Sequence, residues 1–204
     1  MLKNYLKIAF RNIWKNKIFS LINVLGLSIG LSASFVIGAI IYYDMTFDKF
    51  HPDQDRIYRV TTEFTAPEGN FYNRAVPVPL GIVLKEQTTG IETVSRFFTT
   101  YLNKVENKTT AKNFKNIEDG VYVDANYFKM FPYNWLAGSP EIALNNPNEV
   151  ILTQKRAEKY FPGLQVQDVM GKTLVYNDSV LVKITGIVAD FEERTDLYFK
   201  EFLS

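Results

Sequence analysis

Four groups of residues have types and spacings that chemistry can use. Gly171-Lys172-Thr173 is the closing triplet of a phosphate-binding loop, in which backbone amides cradle phosphate, the lysine neutralises it and the threonine holds magnesium. Such a loop needs a glycine five residues before Gly171, where this chain has Val166, and a strand–loop–helix around it. Gly171 is therefore read as a turn residue. His51 is the only histidine and there is no cysteine, which excludes paired-histidine zinc sites and thiolate chemistry. A Ser–His–Asp triad would have to use His51, between Phe50 and Pro52 and close behind a long apolar run; a hydrogen-bonding loop histidine is the expectation. Asp44, Asp48, Asp53 and Asp55 cluster, but Lys49 and Arg56 lie among them without EF-hand spacing, so they read as a solvated juncture. Glu192-Glu193-Arg194 reads as an exposed turn. No catalytic, cofactor-binding or metal-binding residue is expected, and the chain is not read as an enzyme.

The elements around these groups begin with an unusual N-terminus. The first 43 residues hold no Asp or Glu, and the 26 from Ile18 to Tyr43 hold no charge at all. At about 1.5 Å per residue that run reaches roughly 39 Å, enough to cross a hydrocarbon core of about 30 Å. Lys3, Lys7, Arg11, Lys15 and Lys17 precede it, and none of the four residues after it is basic. The positive-inside rule then places residues 1–17 in the cytoplasm, 18–43 in the membrane and 44–204 outside. A cleaved signal peptide has a shorter apolar stretch, about 7–15 residues, so an uncleaved anchor is expected. Ser32-Ala33-Ser34 resembles a cleavage site but lies inside the run.

Within the head, Lys3, Lys7, Arg11 and Lys15 recur every fourth residue beside a stripe of Leu2, Leu6, Phe10, Ile13 and Trp14. A helix with one cationic and one apolar face suits the membrane surface, with Trp14 at headgroup depth. Within the span, Gly26, Gly30, Ser34 and Gly38 are spaced by four, a stripe of small residues that lets another membrane helix approach closely.

The remaining 161 residues suffice for one ordinary core or two small ones. Five of the 23 Lys/Arg lie in the head, so this body carries 18 against 22 Asp/Glu, an acidic balance that argues against nucleic acid. Strands are expected at Arg56–Thr65, Glu92–Val105, Val121–Val123 and Val150–Leu152, and a hairpin at Thr173–Val188 turning on Asn177-Asp178-Ser179. Helices are expected from Val78 to Gln87, at Asn126–Met130, and at Gln154–Phe161 with Thr153 as its cap. Strands separated by helices, with a late hairpin, indicate an α+β domain with a small β-rich insert.

The segments AFRNIWKNKIFSLINVLGLSIGLS, YYDMTFDKFHPDQDRIYRV, VDANYFKMFP, NPNEVILTQKRAEKYFPG, VMGKTLVYND and ITGIVADF, in that order, resemble the N-terminal part of MacB/FtsX-type ABC transporter permeases. The resemblance runs along essentially the whole chain. It implies one transmembrane helix followed by a periplasmic α/β porter-like domain with a small β-rich lobe, in the inner membrane with residues 44–204 periplasmic. It also implies a permease subunit that turns ATP hydrolysis by a separate cytoplasmic ATPase dimer into periplasmic work: export, efflux or lipoprotein release. The partners implied are that ATPase, a second permease copy or paralogue, the lipid bilayer, and a periplasmic adaptor or lipoprotein. Tyr43, Asp44, Phe47, Asp48, Phe50, Arg56 and Tyr58, within the stretch 43–59, are expected to form the joint that passes motion outward. The family's domain continues beyond the position of Ser204 and three further helices follow it, so the chain is expected to be a fragment, with an open sheet edge where a second porter half would pair. The other function class kept open is a single-pass periplasmic binding or sensor module.

Overall fold

The computed structural model describes residues 2–204 and divides into two units, one ending at Phe47 and one running from Asp48 to Ser204. In the first unit, α1 (Leu2–Lys15) and α2 (Lys17–Asp44) are separated by Asn16 alone. Asn16 leaves helical geometry, at φ −113° and ψ 52°, and its side-chain amide donates back to Asn12 Oδ1 at 3.3 Å. The 28 residues of α2 contain no buried side chain. The side chains of Leu2 and Leu6, the start of the apolar stripe read from the head, lie outside the described residues.

The second unit opens with a 3-10 turn, Gln54–Arg56, followed by β1 (Thr62–Ala66) and β2 (Gly69–Asn73), which pair only with each other. The strand expected at 56–65 is thus confined to its end. Extended residues become a strand only where a ladder partner exists, and Thr62, opposite Asn73, is the first that has one. Next come α3 (Leu80–Gln87), β3 (Phe97–Asn107), β4 (Lys112–Val123), α4 (Tyr127–Met130) and β5 (Trp135–Ala137). They are followed by β6 (Glu149–Thr153), α5 (Gln154–Tyr160), α6 (Val166–Val169), β7 (Thr173–Tyr176), β8 (Val180–Val188) and β9 (Glu201–Leu203).

Seven of these strands form one sheet in the order β5-β8-β6-β9-β4-β3-β7, and β7 also pairs with β8. Six strands therefore close into a ring, with β5 attached outside on β8. The open edge expected from the sequence is absent from this ring: β9 lies between β4, to which it is parallel, and β6, to which it is antiparallel. Each of the six strands contributes to one core, including Val105, Ile117, Leu203, Leu152, Ile184 and Leu174; α5 adds Tyr160, the residue after it Phe161, and α6 Val169. The opposite face of β4, β9, β6 and β8 forms a second, aromatic core with Tyr127, Phe128, Phe131 and Tyr133. Alternation explains the split: in β6, Val150 and Leu152 face one core and Ile151 the other. Strands β6 and β8 run parallel with α5 between them, a right-handed crossover being the usual connection for such a pair.

Two further sequence expectations need correction. Lys112–Gly120 is strand, although only Val121–Val123 was expected; β3 supplies the ladder, whose register shifts between Thr100 and Leu102, opposite Gly120 and Ile117, and Asn116 takes φ 57°. Thr153 does begin α5, but its hydroxyl makes no capping bond and is buried without a partner. The first-turn amide of Lys155 donates instead to Asp190 Oδ2 at 2.9 Å, from the end of β8. The hairpin turns on Asn177-Asp178-Ser179 as expected: Asn177 and Asp178 take φ 49° and 63°, and the Ser179 amide closes the turn on the Tyr176 carbonyl at 3.2 Å.

Candidate functional site

The candidate working residues fall into three places. On the first unit, Lys3, Lys7, Arg11, Trp14 and Lys15 are exposed along α1, and Lys17, at the start of α2, places its ammonium 5.1 Å from the centre of the Trp14 ring. Gly26, Gly30, Ser34 and Gly38 share α2. A methyl group added at any of the three glycines would meet nothing within 4 Å, and the Ser34 hydroxyl donates to the Gly30 carbonyl at 2.9 Å. That bond satisfies the hydroxyl inside the helix, so the stripe presents backbone and small side chains to its surroundings. α2 is long and apolar enough to cross a membrane.

The residues of the expected joint are divided between the two units. Tyr43 and Phe47 meet edge to face at 5.1 Å within the first unit, beside Asp44. In the second unit, Asp48 sits at φ 56°, its amide donates to the Arg194 carbonyl at 2.9 Å, and its Oδ2 accepts from the Asp196 amide at 3.4 Å. Phe50 packs on Phe191 at 4.9 Å. Arg56 turns away to Glu92 at 2.7 Å and Asp53 at 3.6 Å, both exposed pairs, and Tyr58 is 83% exposed. Of the seven, Asp48 and Phe50 hold the start of the body to its later loop, and Arg56 and Tyr58 do not.

His51, expected as a hydrogen-bonding loop residue, is buried, and neither ring nitrogen has a hydrogen-bond partner. Its ring lies against Phe50 at 4.0 Å, Phe131 at 5.1 Å and Phe191 at 5.6 Å, with Nε2 3.5 Å from Asp48 Oδ1. The unit bonded to the Asp48 backbone, at 190–196, includes Glu192, Glu193 and Arg194, whose side chains are exposed as expected.

A third place was not legible in the sequence. Glu201 is fully buried on β9, where Tyr160 and Tyr176 both donate their hydroxyls to its carboxylate, the latter at 2.5 Å. Arg156 brings Nη1 to 3.3 Å from Glu201 and gives Nη2 to Asp119, which Lys200 also contacts at 3.1 Å. Burial pushes the Glu201 carboxyl up, with Arg156 and the two hydroxyls opposing it. Burial also acts to raise Asp119, yet Arg156 and Lys200 hold it below its ordinary value. The network joins β4, α5, β7 and β9. Each of its charges is met from inside the fold, so it fastens strands and presents no reactive group outward.

Gly171, at φ 75°, is a turn: its amide donates to the Ile184 carbonyl and that of Ile184 to the Lys172 carbonyl, both at 2.9 Å. No amide of this triplet's turn is arranged around an anion. Among the described residues no group of three or more His, Asp or Glu is placed to hold a metal ion. A polar cleft lined by Lys85, Glu92, Arg96, Asp124 and Lys129 mixes both signs of charge, and its Arg96 is already paired with Asp124 at 3.5 Å.

An apolar helix precedes a mixed α+β body, and this is the architecture that comparison with known proteins places. The chain belongs to the MacB-like periplasmic core domain family, whose model matches residues 20–200. Among solved structures, it is similar to a domain of a candidate permease protein from Porphyromonas gingivalis, with a TM-score of 0.64 at 20% identity, over 76% of this chain and 65% of that one. It is also similar to the periplasmic region of MacB from Actinobacillus actinomycetemcomitans (TM-score 0.47, 15% identity, 63% of this chain and 55% of that one). A third is the extracellular domain of the noncanonic ABC-type transporter YknZ from Gram-positive bacteria (0.43, 13%, 58% and 57%). The chain therefore spans somewhat less than two thirds of each solved chain. No curated protein matches it.

Proposed function

We propose that the chain is the N-terminal part of the permease subunit of an ABC transporter, with α2 as its first membrane helix and the body working in the periplasm. The observation that carries this is the succession along the chain of a 28-residue apolar helix with no buried side chain and a MacB-like core domain. α1 lies on the cytoplasmic surface, its lysines and arginine among lipid headgroups. The Gly26–Gly38 stripe packs against further membrane helices, of a second permease copy or paralogue among others. A cytoplasmic ATPase dimer supplies the energy, and the body, which needs no catalytic group of its own, transmits the resulting movement to export, efflux or lipoprotein release.

The natural absence of cysteine makes the topology directly testable. Asn70→Cys, on exposed β2, is expected to react with a membrane-impermeant maleimide in cells whose outer membrane has been opened, and Asn4→Cys only after lysis. The reverse pattern overturns the orientation, and release of the chain by carbonate washing overturns the span. Gly30→Leu is expected to reduce recovery of the chain with its cognate ATPase in mild detergent. Undiminished recovery removes the small-residue stripe from the mechanism.

A further inference from the structure

Seven buried side-chain polar atoms among the described residues have no hydrogen-bond partner, and five belong to one cluster: Asp48 Oδ1, both nitrogens of His51, and the hydroxyls of Tyr127 and Tyr133. Ring contacts close a circuit around them. His51 meets Phe131 at 5.1 Å, Phe131 meets Tyr127 at 5.1 Å, Tyr127 meets Tyr133 at 6.4 Å, Tyr133 meets Phe191 at 4.2 Å, and Phe191 returns to His51 at 5.6 Å. Three separate pieces of chain meet here: the 48–52 segment, α4 with the turn after it, and the 190–196 loop. Buried polar groups are ordinarily paired, and here the nearest partners are one another, His51 Nε2 with Asp48 Oδ1 at 3.5 Å and the hydroxyl of Tyr127 with that of Tyr133, so the concentration in one aromatic box needs a reason.

We propose that His51 is the proton-sensitive pin of a clasp that fastens residues 48–52 to the body, closed while the imidazole is neutral and opened by acid. A neutral imidazole packs among aromatic rings at little cost. An imidazolium there would have two N–H donors, one carboxylate oxygen at 3.5 Å and no other acceptor in reach among the described contacts. The clasp is also weakly held by backbone. Asp48 takes left-handed geometry at φ 56°; its amide donates to the Arg194 carbonyl and its Oδ2 accepts from the Asp196 amide, while the bond from His51 N to Asp48 O at 3.3 Å lies within the segment itself. None of its residues belongs to the ring of strands, so it can open without unzipping the sheet.

The charged and titratable groups of the three packed elements are Asp48 and Lys49; Tyr127, Lys129 and Tyr133; and Asp190, Glu192, Glu193, Arg194 and Asp196. Burial lowers the affinity of His51 for a proton below its ordinary value, and the attraction of Asp48 and Glu193 only partly restores it. The sign follows. An open segment takes up its proton near pH 6.5, before the closed one does. The clasp is at full strength above about pH 6.5, weakens as pH falls from there to the lowered native value, and levels off below it. Ordinary carboxylates ionise near pH 4. The buried carboxyl that burial pushes upward, Glu201, lies in the network of β4, α5, β7 and β9 and not among the three pieces of chain around His51. The clasp rests on the geometry of the body alone and is independent of the transport reading.

The test uses the full chain in detergent micelles. With one histidine, labelling the imidazole with carbon-13 gives one NMR signal whose titration reports His51 directly. A midpoint below 6.5 is expected, and each unit of lowering weakens the clasp about tenfold in acid. Hydrogen exchange, corrected for its intrinsic pH dependence, is expected to show the Asp48 and His51 amides losing protection between pH 7.5 and 5.5 while β6 keeps its own. His51→Phe is expected to remove that pH dependence. A midpoint at or above 6.5, wild-type protection equal at both pH values, or a folded His51→Phe that still opens in acid would each overturn the proposal. If His51→Phe does not fold, the two wild-type measurements decide it.

Discussion

Helix α2 and strand β6 are both largely apolar and have opposite surroundings. No side chain of α2 is buried; every residue of β6 is. Length decides the difference. Five residues of Glu149–Thr153 present two faces, and two cores of the same body cover both. Twenty-eight residues of α2 present apolar surface all round, more than α1 can cover, so they need a solvent that is itself apolar or further helices. A buried strand is held by its own chain, whereas an apolar helix of this length depends on what lies around it.

The contrast can be broken from the body's side by charge. Arg156→Met leaves Glu201 buried without its cation, and the expected loss is about 3–5 kcal/mol in urea unfolding followed by near-UV circular dichroism. An unchanged midpoint would mean the network does not fasten β9. Next in size is a matched truncation. Leu152→Ala, at a fully buried position, is expected to cost the body about 2–5 kcal/mol, while Leu31→Ala, on exposed α2, leaves its midpoint in place. Equal losses would abolish the distinction between the two segments. The smallest effect compares glycines. A methyl at Gly186 would lie 2.6 Å from the Trp135 ring and 3.0 Å from Ile151, so Gly186→Ala is expected to cost about 1–3 kcal/mol. At Gly30 the added methyl meets open space, and Gly30→Ala is expected to raise helicity with a gain of up to about 1 kcal/mol and no effect on the body.

Legibility in the sequence followed the range of the interactions. The hairpin at 173–188 was readable because Asn177-Asp178 is a local turn signal, and α5 because helix start and stop residues lie within a few positions of each other. β4 was largely missed because Lys112, Asn113, Lys115 and Asn116 are poor strand formers held in place by β3. Thr153 holds the N-cap position of α5 as expected, but the capping bond comes from Asp190, 35 residues away from the amide it receives, which no local pattern shows. In the joint, Asp48 and Phe50 were chosen for their place in the exit segment, and the structure shows what they touch. His51 was set aside because a lone histidine carries no signal until Phe131, Phe191 and Asp48 are brought around it.

The sequence by itself determined the apolar helix, the basic head before it, the α+β class of the body and the absence of paired-histidine or thiolate chemistry. These depend on composition and on spacing within one element, which a linear chain displays directly. Only the tertiary structure decided that β9 closes a ring between β4 and β6, that Arg156 and Glu201 meet inside it, and that His51 is buried without a hydrogen bond. Those facts depend on which distant residues share a face, and whether a charge or an imidazole is costly is set by the neighbours that folding brings to it.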